Sequence, residues 1–174
     1  MRDLHKRHYG LTREVSESYI QAARVCFDRH HNSPIELYIL NDQTETNVHL
    51  SWQPTDERAK SAWYNKDDAT RDGAYACALA ATEMMRGLYA IRRMETRSGA
   101  DYYIGPQNSN EDDLENAFRL EVSGTDGSSK DVDQRLIIKV NQARKGDSNL
   151  PAIAAIVGFR VKQIKIRTVE EKNS

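Results

Sequence analysis

Two carboxylates in the second half of the chain stand where strands are predicted. Asp101 follows Gly99 and Ala100 at the start of "ADYYIG", and Glu121 sits between Leu120 and Val122 in "RLEVSG". Most of the chain between them is an acidic loop, "PQNSNEDDLEN", so the two strands can be neighbours with both acids at one end. Two acidic groups converging from adjacent strands make a site for a hard cation, Mg²⁺ or Mn²⁺. Such a site lowers the pKa of a bound water and stabilises charge on a phosphoryl oxygen. The plainer alternative is a strand with one solvent face, on which Glu121 points outward together with Arg119 and Ser123.

The segment after Glu121, "KDVDQRLIIKVNQARKG", adds a third group. At about 100° per residue, Leu136, Val140 and Ala143 fall within about 80° of Val132. That stripe must face the sheet. Lys139 falls about 20° to the other side of Val132, inside the stripe or at its margin. A lysine there either snorkels out or brings its ammonium to buried carboxylates, and Glu121 is the obvious partner. Arg135, one turn earlier, is placed to contact a phosphate, and Ser123, on the Glu121 side of its strand, is a further candidate contact. "RRMETR" (Arg92 to Arg97) puts basic side chains toward the Asp101 end of the sheet, where they, Arg97 among them, either contact a phosphate backbone or belong to a solvated strand face.

These residues need a scaffold, and the patterns predict one. "LTREVSESYIQAARVCFDRHH" reads as a helix with Thr12 as N-cap and Val15, Tyr19, Ala22 and Cys26 on its apolar face. "IELYIL" and "NVHLSWQP" flank the turn "NDQTET" as a hairpin. A short helix starts near Thr55 and Asp56, and a longer one runs through "DDATRDGAYACALAATEMMRGLY". Strands follow in "LYAIRRME", "ADYYIG" and "AFRLEVSG", with "TRSG" as the first turn. "TDGSS" opens the Lys139 helix, with Gly146 as its stop. "PAIAAIVGF" has the continuous apolar character of a strand buried on both faces, and "VKQIKIRTV" alternates like an amphipathic edge strand. The tail "EEKNS" is solvated. From about residue 66 the order is α-β-β-β-α-β plus a final strand. The expected class is α/β, a mixed β-sheet with flanking helices. The expected organisation is a single domain, 1–174, with an N-terminal helix and hairpin (1–65) added to a core (66–174).

Bulk properties bound the function. The chain has 174 residues, 39% hydrophobic and 29% charged, and a net charge of −1. That is a globular composition, and bulk charge announces no nucleic-acid partner, although a local basic face is compatible with it. Cys26 and Cys77 lie in apolar helical segments and read as reduced core thiols of a cytoplasmic protein. The start, "MRDLHKRHYG", lacks the apolar region of a signal peptide, and no stretch is long enough to span a bilayer.

Other constellations carry less. Arg29-His30-His31 is a polar helix end rather than a metal site, since adjacent histidines on a helix diverge. His5, His8 and His49 form no metal pattern. Ala74, Ala78, Ala81 and Met85 make a packing stripe. Asp68, Asp72 and Glu83 avoid that stripe. Asp72 suits the start of its helix and is also within possible reach of the cleft. The sequence contains no Gly-rich phosphate loop, no G-x-S-x-G elbow and no H-E-x-x-H.

The element order, with one acid in "GADYYIG" and another in "RLEVSG", resembles the PD-(D/E)XK nuclease-like superfamily. The resemblance covers residues 66 to about 160. It implies a restriction-endonuclease-like core, a divalent metal (Mg²⁺ or Mn²⁺) held by Asp101 and Glu121, and a lysine two residues after the Glu that assists the attacking water. Position 123 is Ser instead. Some members place the lysine on the next helix, where Lys139 stands. The chain also looks like a family of small bacterial proteins with a "GADYYI…RLEVSG…LPA" run, which supplies no biochemistry. The expectation is a metal-dependent nuclease acting on DNA or RNA, with catalytic Asp101, Glu121 and Lys139. The rival is a non-catalytic interaction or nucleic-acid-binding subunit of a bacterial assembly, built on a degenerate nuclease fold. A third possibility is a homodimer formed through "VKQIKIRTV".

Overall fold

The computed structural model describes residues 1–95, 100–109, 112, 114–145 and 149–169. Arg97, the "TRSG" turn, the Gly146 stop and the tail fall outside the described residues, as does part of the acidic loop. The chain is α/β, with one seven-stranded mixed sheet and helices on both faces.

Local signals explain where the elements begin. The Thr12 hydroxyl accepts from the Val15 amide at 3.3 Å and starts α1 (Arg13–Asp28). Tyr19, Ala22 and Cys26 are buried as the spacing requires, but Val15, in the first turn, is exposed. The hairpin is β1 (Ile35–Asn41) and β2 (Thr44–Leu50), with a turn tighter than "NDQTET" suggests because Asp42 takes positive φ. Asp56 caps α2 (Glu57–Ala62) and Asn65 caps α3 (Lys66–Arg86). The next strands are β3 (Tyr89–Arg93), β4 (Tyr102–Gly105) and β5 (Phe118–Thr125). A capping box between Ser128 and Asp131 opens α4 (Ser129–Arg144), and β6 (Ala152–Gly158) and β7 (Gln163–Val169) finish the sheet.

The strand order is β2-β1-β7-β6-β5-β4-β3. β5 and β6 are parallel, joined by α4 as crossover, and β1 and β7 are parallel; the remaining neighbours are antiparallel. β6 is buried along its whole length, because Ile153, Ala155 and Val157 enter the core under α1 and α3 while Ala152, Ala154 and Ile156 enter the core under α4. β7 is not an edge. Its outer side pairs with β1, and Lys165, which gives it a polar rhythm, bonds Asp133 on α4. The hairpin therefore extends the sheet, and a homodimer through β7 would need an edge that β1 already occupies. Among the described residues, no helix is long and apolar enough to cross a membrane.

The β3 edge, which leads toward Asp101, is closed by the N-terminal segment. His8 is fully buried; its Nδ1 accepts from the Ala90 amide at 2.9 Å, and Gly10 N–H donates to the Ala90 carbonyl at 2.9 Å. An accepting Nδ1 means a neutral ring with its proton on Nε2, directed at Glu83 Oε2 3.0 Å away. Burial lowers the His8 pKa, Glu83 opposes the drop, and Arg7 adds to it. A depressed folded-state value means that the unfolded chain binds the proton more readily. The contribution of His8 is complete above the ordinary value of 6.5 and is lost as pH falls below it. Urea midpoints at about pH 7.5 and about pH 5.5 are expected to differ more for the wild type than for His8→Leu. Equal drops in both proteins would assign the pH effect to another group.

Candidate functional site

β5 alternates between two interiors. Leu120 and Val122 enter the core under α1 and α3, and Glu121 turns to the α4 side with Arg119 and Ser123. That side is not solvent, because α4 covers it: the Glu121 side chain is 4% exposed. Lys139 reaches in from the margin of the α4 stripe and donates from Nζ to Glu121 Oε2 at 2.8 Å. Of the two alternatives left open by the helical spacing, the contact with Glu121 is the one formed. Burial pushes the Glu121 carboxyl above its ordinary pKa; Lys139 opposes the rise, the charge of Asp101 adds to it and Arg119 opposes it.

Asp101 lies just before β4. The register pairs Tyr102 with Leu120, and Asp101 N–H donates to the Leu120 carbonyl at 2.8 Å, so Asp101 stands level with Glu121 where the β4 ladder begins. Its Oδ2 accepts from the Val122 amide at 2.7 Å, replacing a ladder bond, and its Oδ1 accepts from the Tyr75 hydroxyl at 2.7 Å. Burial and the Asp101 charge push the Tyr75 phenol far up, which keeps it a proton donor.

Behind Tyr75 lies a network that the sequence patterns do not reveal. The Arg93 guanidinium stands over the Tyr75 and Tyr102 rings, 5.0 and 5.6 Å from their centroids. It donates to the Tyr19 hydroxyl and, at 3.3 Å, to the Tyr75 hydroxyl. The Tyr19 and Tyr102 hydroxyls bond each other at 2.9 Å. The available signal is that a tyrosine on an apolar stripe needs a partner for its hydroxyl, and Tyr19 and Tyr75 both stand among buried helix residues. Arg119 is the other residue the patterns miss. It is 5% exposed, and its Nε and Nη2 donate to the carbonyls of Leu150 (3.0 Å) and Ala143 (3.1 Å), fastening the last turn of α4 to β5.

Arg135 donates to the Ser123 hydroxyl at 3.2 Å, so these two meet one turn from Lys139. His31 and His30 serve as a polar helix end: His31 Nε2 lies 2.9 Å from the Phe159 carbonyl, and His30 and Arg29 face Asp126 at 3.3 and 3.2 Å. Asp72 accepts from its neighbour Arg71 at 2.8 Å.

Among the described residues, no group of three or more His, Cys, Asp or Glu side chains is placed to hold a metal. The two carboxylates that the sequence pairs as metal ligands are Asp101 and Glu121. Each Asp101 oxygen already accepts one hydrogen bond, and a carboxylate oxygen has a second lone pair. Two carboxylates suit Mg²⁺ or Mn²⁺, which complete their shells with water and phosphate oxygens, and do not suit a soft metal. No family model, curated protein or solved structure matches the chain. A functional reading therefore rests on the geometry of these side chains.

Proposed function

We propose that the protein is a divalent-metal-dependent phosphodiesterase acting on DNA or RNA, with a core of the PD-(D/E)XK nuclease-like kind. The observation that carries this reading is the 2.8 Å bond between Lys139 and Glu121, formed inside the helix–sheet interface beside Asp101. A buried carboxylate with a raised pKa, a like charge beside it and a lysine on top is an expensive arrangement for stability alone. Asp101 and Glu121 would hold Mg²⁺ or Mn²⁺, which when bound supplies Lewis acidity toward a phosphoryl oxygen and an activated water.

The chain's own residues do the rest. Glu121 fixes Lys139 by one ammonium hydrogen, leaving two donors to orient an attacking water and to meet negative charge developing on the phosphate. Tyr75 and the Val122 amide hold both oxygens of Asp101 so that its orientation is set before substrate arrives. Arg135 and Ser123, at the rim, contact non-bridging phosphate oxygens. Ser123 stands where the superfamily lysine would be, and Lys139 takes that role from the next helix.

One observation favours the second reading, a nucleic-acid-binding subunit without catalysis: Ser123 is bonded to Arg135 at the position of the motif lysine. The deciding measurement is cleavage of mixed single- and double-stranded DNA and RNA with Mn²⁺. Wild type is expected to cleave and Glu121→Gln to be slower by about 100-fold or more. Equal rates in the two proteins would assign the activity to a contaminant and sink the proposal. Binding by both without cleavage would select the second reading.

A further inference from the structure

α4 lies over β5, β6 and β7, and β3 and β4 carry the sheet on past it. On that continuation two side chains share the face of Glu121. Tyr103 is the register partner of Arg119, whose guanidinium reaches the last turn of α4, and cross-strand partners point to the same side. Arg92 is in turn the register partner of Tyr103. Its guanidinium stands over the Tyr103 ring, 5.2 Å from the centroid, and the residue is exposed while Tyr103 is half-buried. Glu121 is two residues along β5 from Arg119, so Tyr103 is its diagonal neighbour, about 7–8 Å away across the strands.

We infer that Arg92 and Tyr103 form a stacking platform for an unpaired base beside the acid pair, which makes single-stranded nucleic acid, or a single-stranded end, the substrate class. This rests on the phosphodiesterase reading for the reaction but not for the binding. A guanidinium held over an aromatic ring presents an outer plane of fixed orientation, and bases stack on such planes with little regard to sequence. A base inside a duplex has no open face to offer it. The cations on the same side, Lys139, Arg135 and Arg92, would follow the phosphates, so the basic character is local and fits a net charge of only −1. The plainer role for the pair is a solvated strand contact, which predicts no preference between single strands and duplexes.

The test is fluorescence anisotropy in EDTA with fluorescein-labelled short oligonucleotides, DNA and RNA, as single strands and as duplexes. Wild type is expected to bind single strands more tightly than duplexes of the same length. Arg92→Ala and Tyr103→Ala should each weaken single-strand binding by about tenfold, the scale of one lost stacking contact. Tyr103→Phe, which keeps the ring, should bind like wild type and guards against a folding defect. Arg92→Lys keeps the charge without the plane and should bind like Arg92→Ala. Arg92→Lys binding like wild type would reduce the role to charge and overturn the inference. Equal binding of duplex and single strand, unchanged by Tyr103→Ala, would also overturn it. Absence of cleavage by the wild type with Mn²⁺, alongside an intact strand preference in EDTA, would sink the phosphodiesterase reading and leave the platform standing.

Discussion

Lys139→Met is expected to cost about 3 kcal/mol of stability near neutral pH, far more than Glu121→Gln. The asymmetry follows from where the two side chains end. Glu121 is 4% exposed and cannot reach water, whereas Lys139 is 24% exposed and can swing outward. Removing the lysine leaves a carboxylate buried without its cation, and removing the carboxylate leaves a lysine that solvent accepts. Glu121→Gln should therefore stay within about 1 kcal/mol of wild type, since it also removes a desolvated charge. The double variant should recover most of what Lys139→Met loses.

The sign of the pH dependence separates this from simple loss of packing. Glu121 has a raised folded-state pKa, so whatever it contributes is fully present below its ordinary value of 4.5 and declines as pH rises through the folded value. Without Lys139, which opposes the rise, the folded value climbs further. The Lys139→Met deficit should accordingly be largest near pH 7.5 and shrink toward about pH 5, as Glu121 takes up a proton. Urea melts of the four proteins of the cycle at both pH values check this. Equal, additive and pH-independent costs for the two single variants would show that the pair is not electrostatically coupled.

Periodicity made part of this site legible. Lys139 could be placed because Val132, Leu136, Val140 and Ala143 define one face of α4, and all four are buried. Asp101 and Glu121 could be placed together because antiparallel neighbours joined by a loop need only local chain. β7 was not legible in the same way. Its burial alternates as an edge strand would, but what covers its other side is β1, more than a hundred residues earlier and parallel to it. A one-strand pattern carries no record of a distant partner. The Tyr19–Tyr75–Tyr102–Arg93 network was hidden for a related reason, because its members come from α1, α3, β4 and β3 and meet only after the sheet forms. The arginines of "RRMETR" could not be told apart in the sequence, yet β3 sends Arg93 to the tyrosines and Arg92 to the opposite face. Adjacent strand positions alternate, and composition cannot show which of two arginines meets the tyrosines.

Gly124→Ala is expected to be the most damaging single methyl that can be added to the chain near the site, at about 3 kcal/mol. A Cβ at Gly124 would lie 2.3 Å from the Thr70 carbonyl oxygen and 3.0 Å from Ala74 Cβ. The first of these is helix backbone, which a rotamer change cannot move, so α3 as a whole must lift from β5. Tyr75 follows Ala74 on that helix, and its hydroxyl is what holds Asp101 Oδ1 at 2.7 Å. The substitution should therefore damage the acid pair as well as the fold, although residue 124 touches neither acid. Gly87→Ala supplies the comparison. Gly87 caps α3 with φ of 62°, but nothing lies within 4 Å of an added Cβ, so only backbone strain is incurred. That cost is about 1–2 kcal/mol and leaves the Tyr75–Asp101 bond in place. Denaturant midpoints of both variants give the ranking. A smaller loss at Gly124 than at Gly87 would mean that α3 does not seat on β5 as closely as the Thr70 contact requires, and the placement of Asp101 would lose its support.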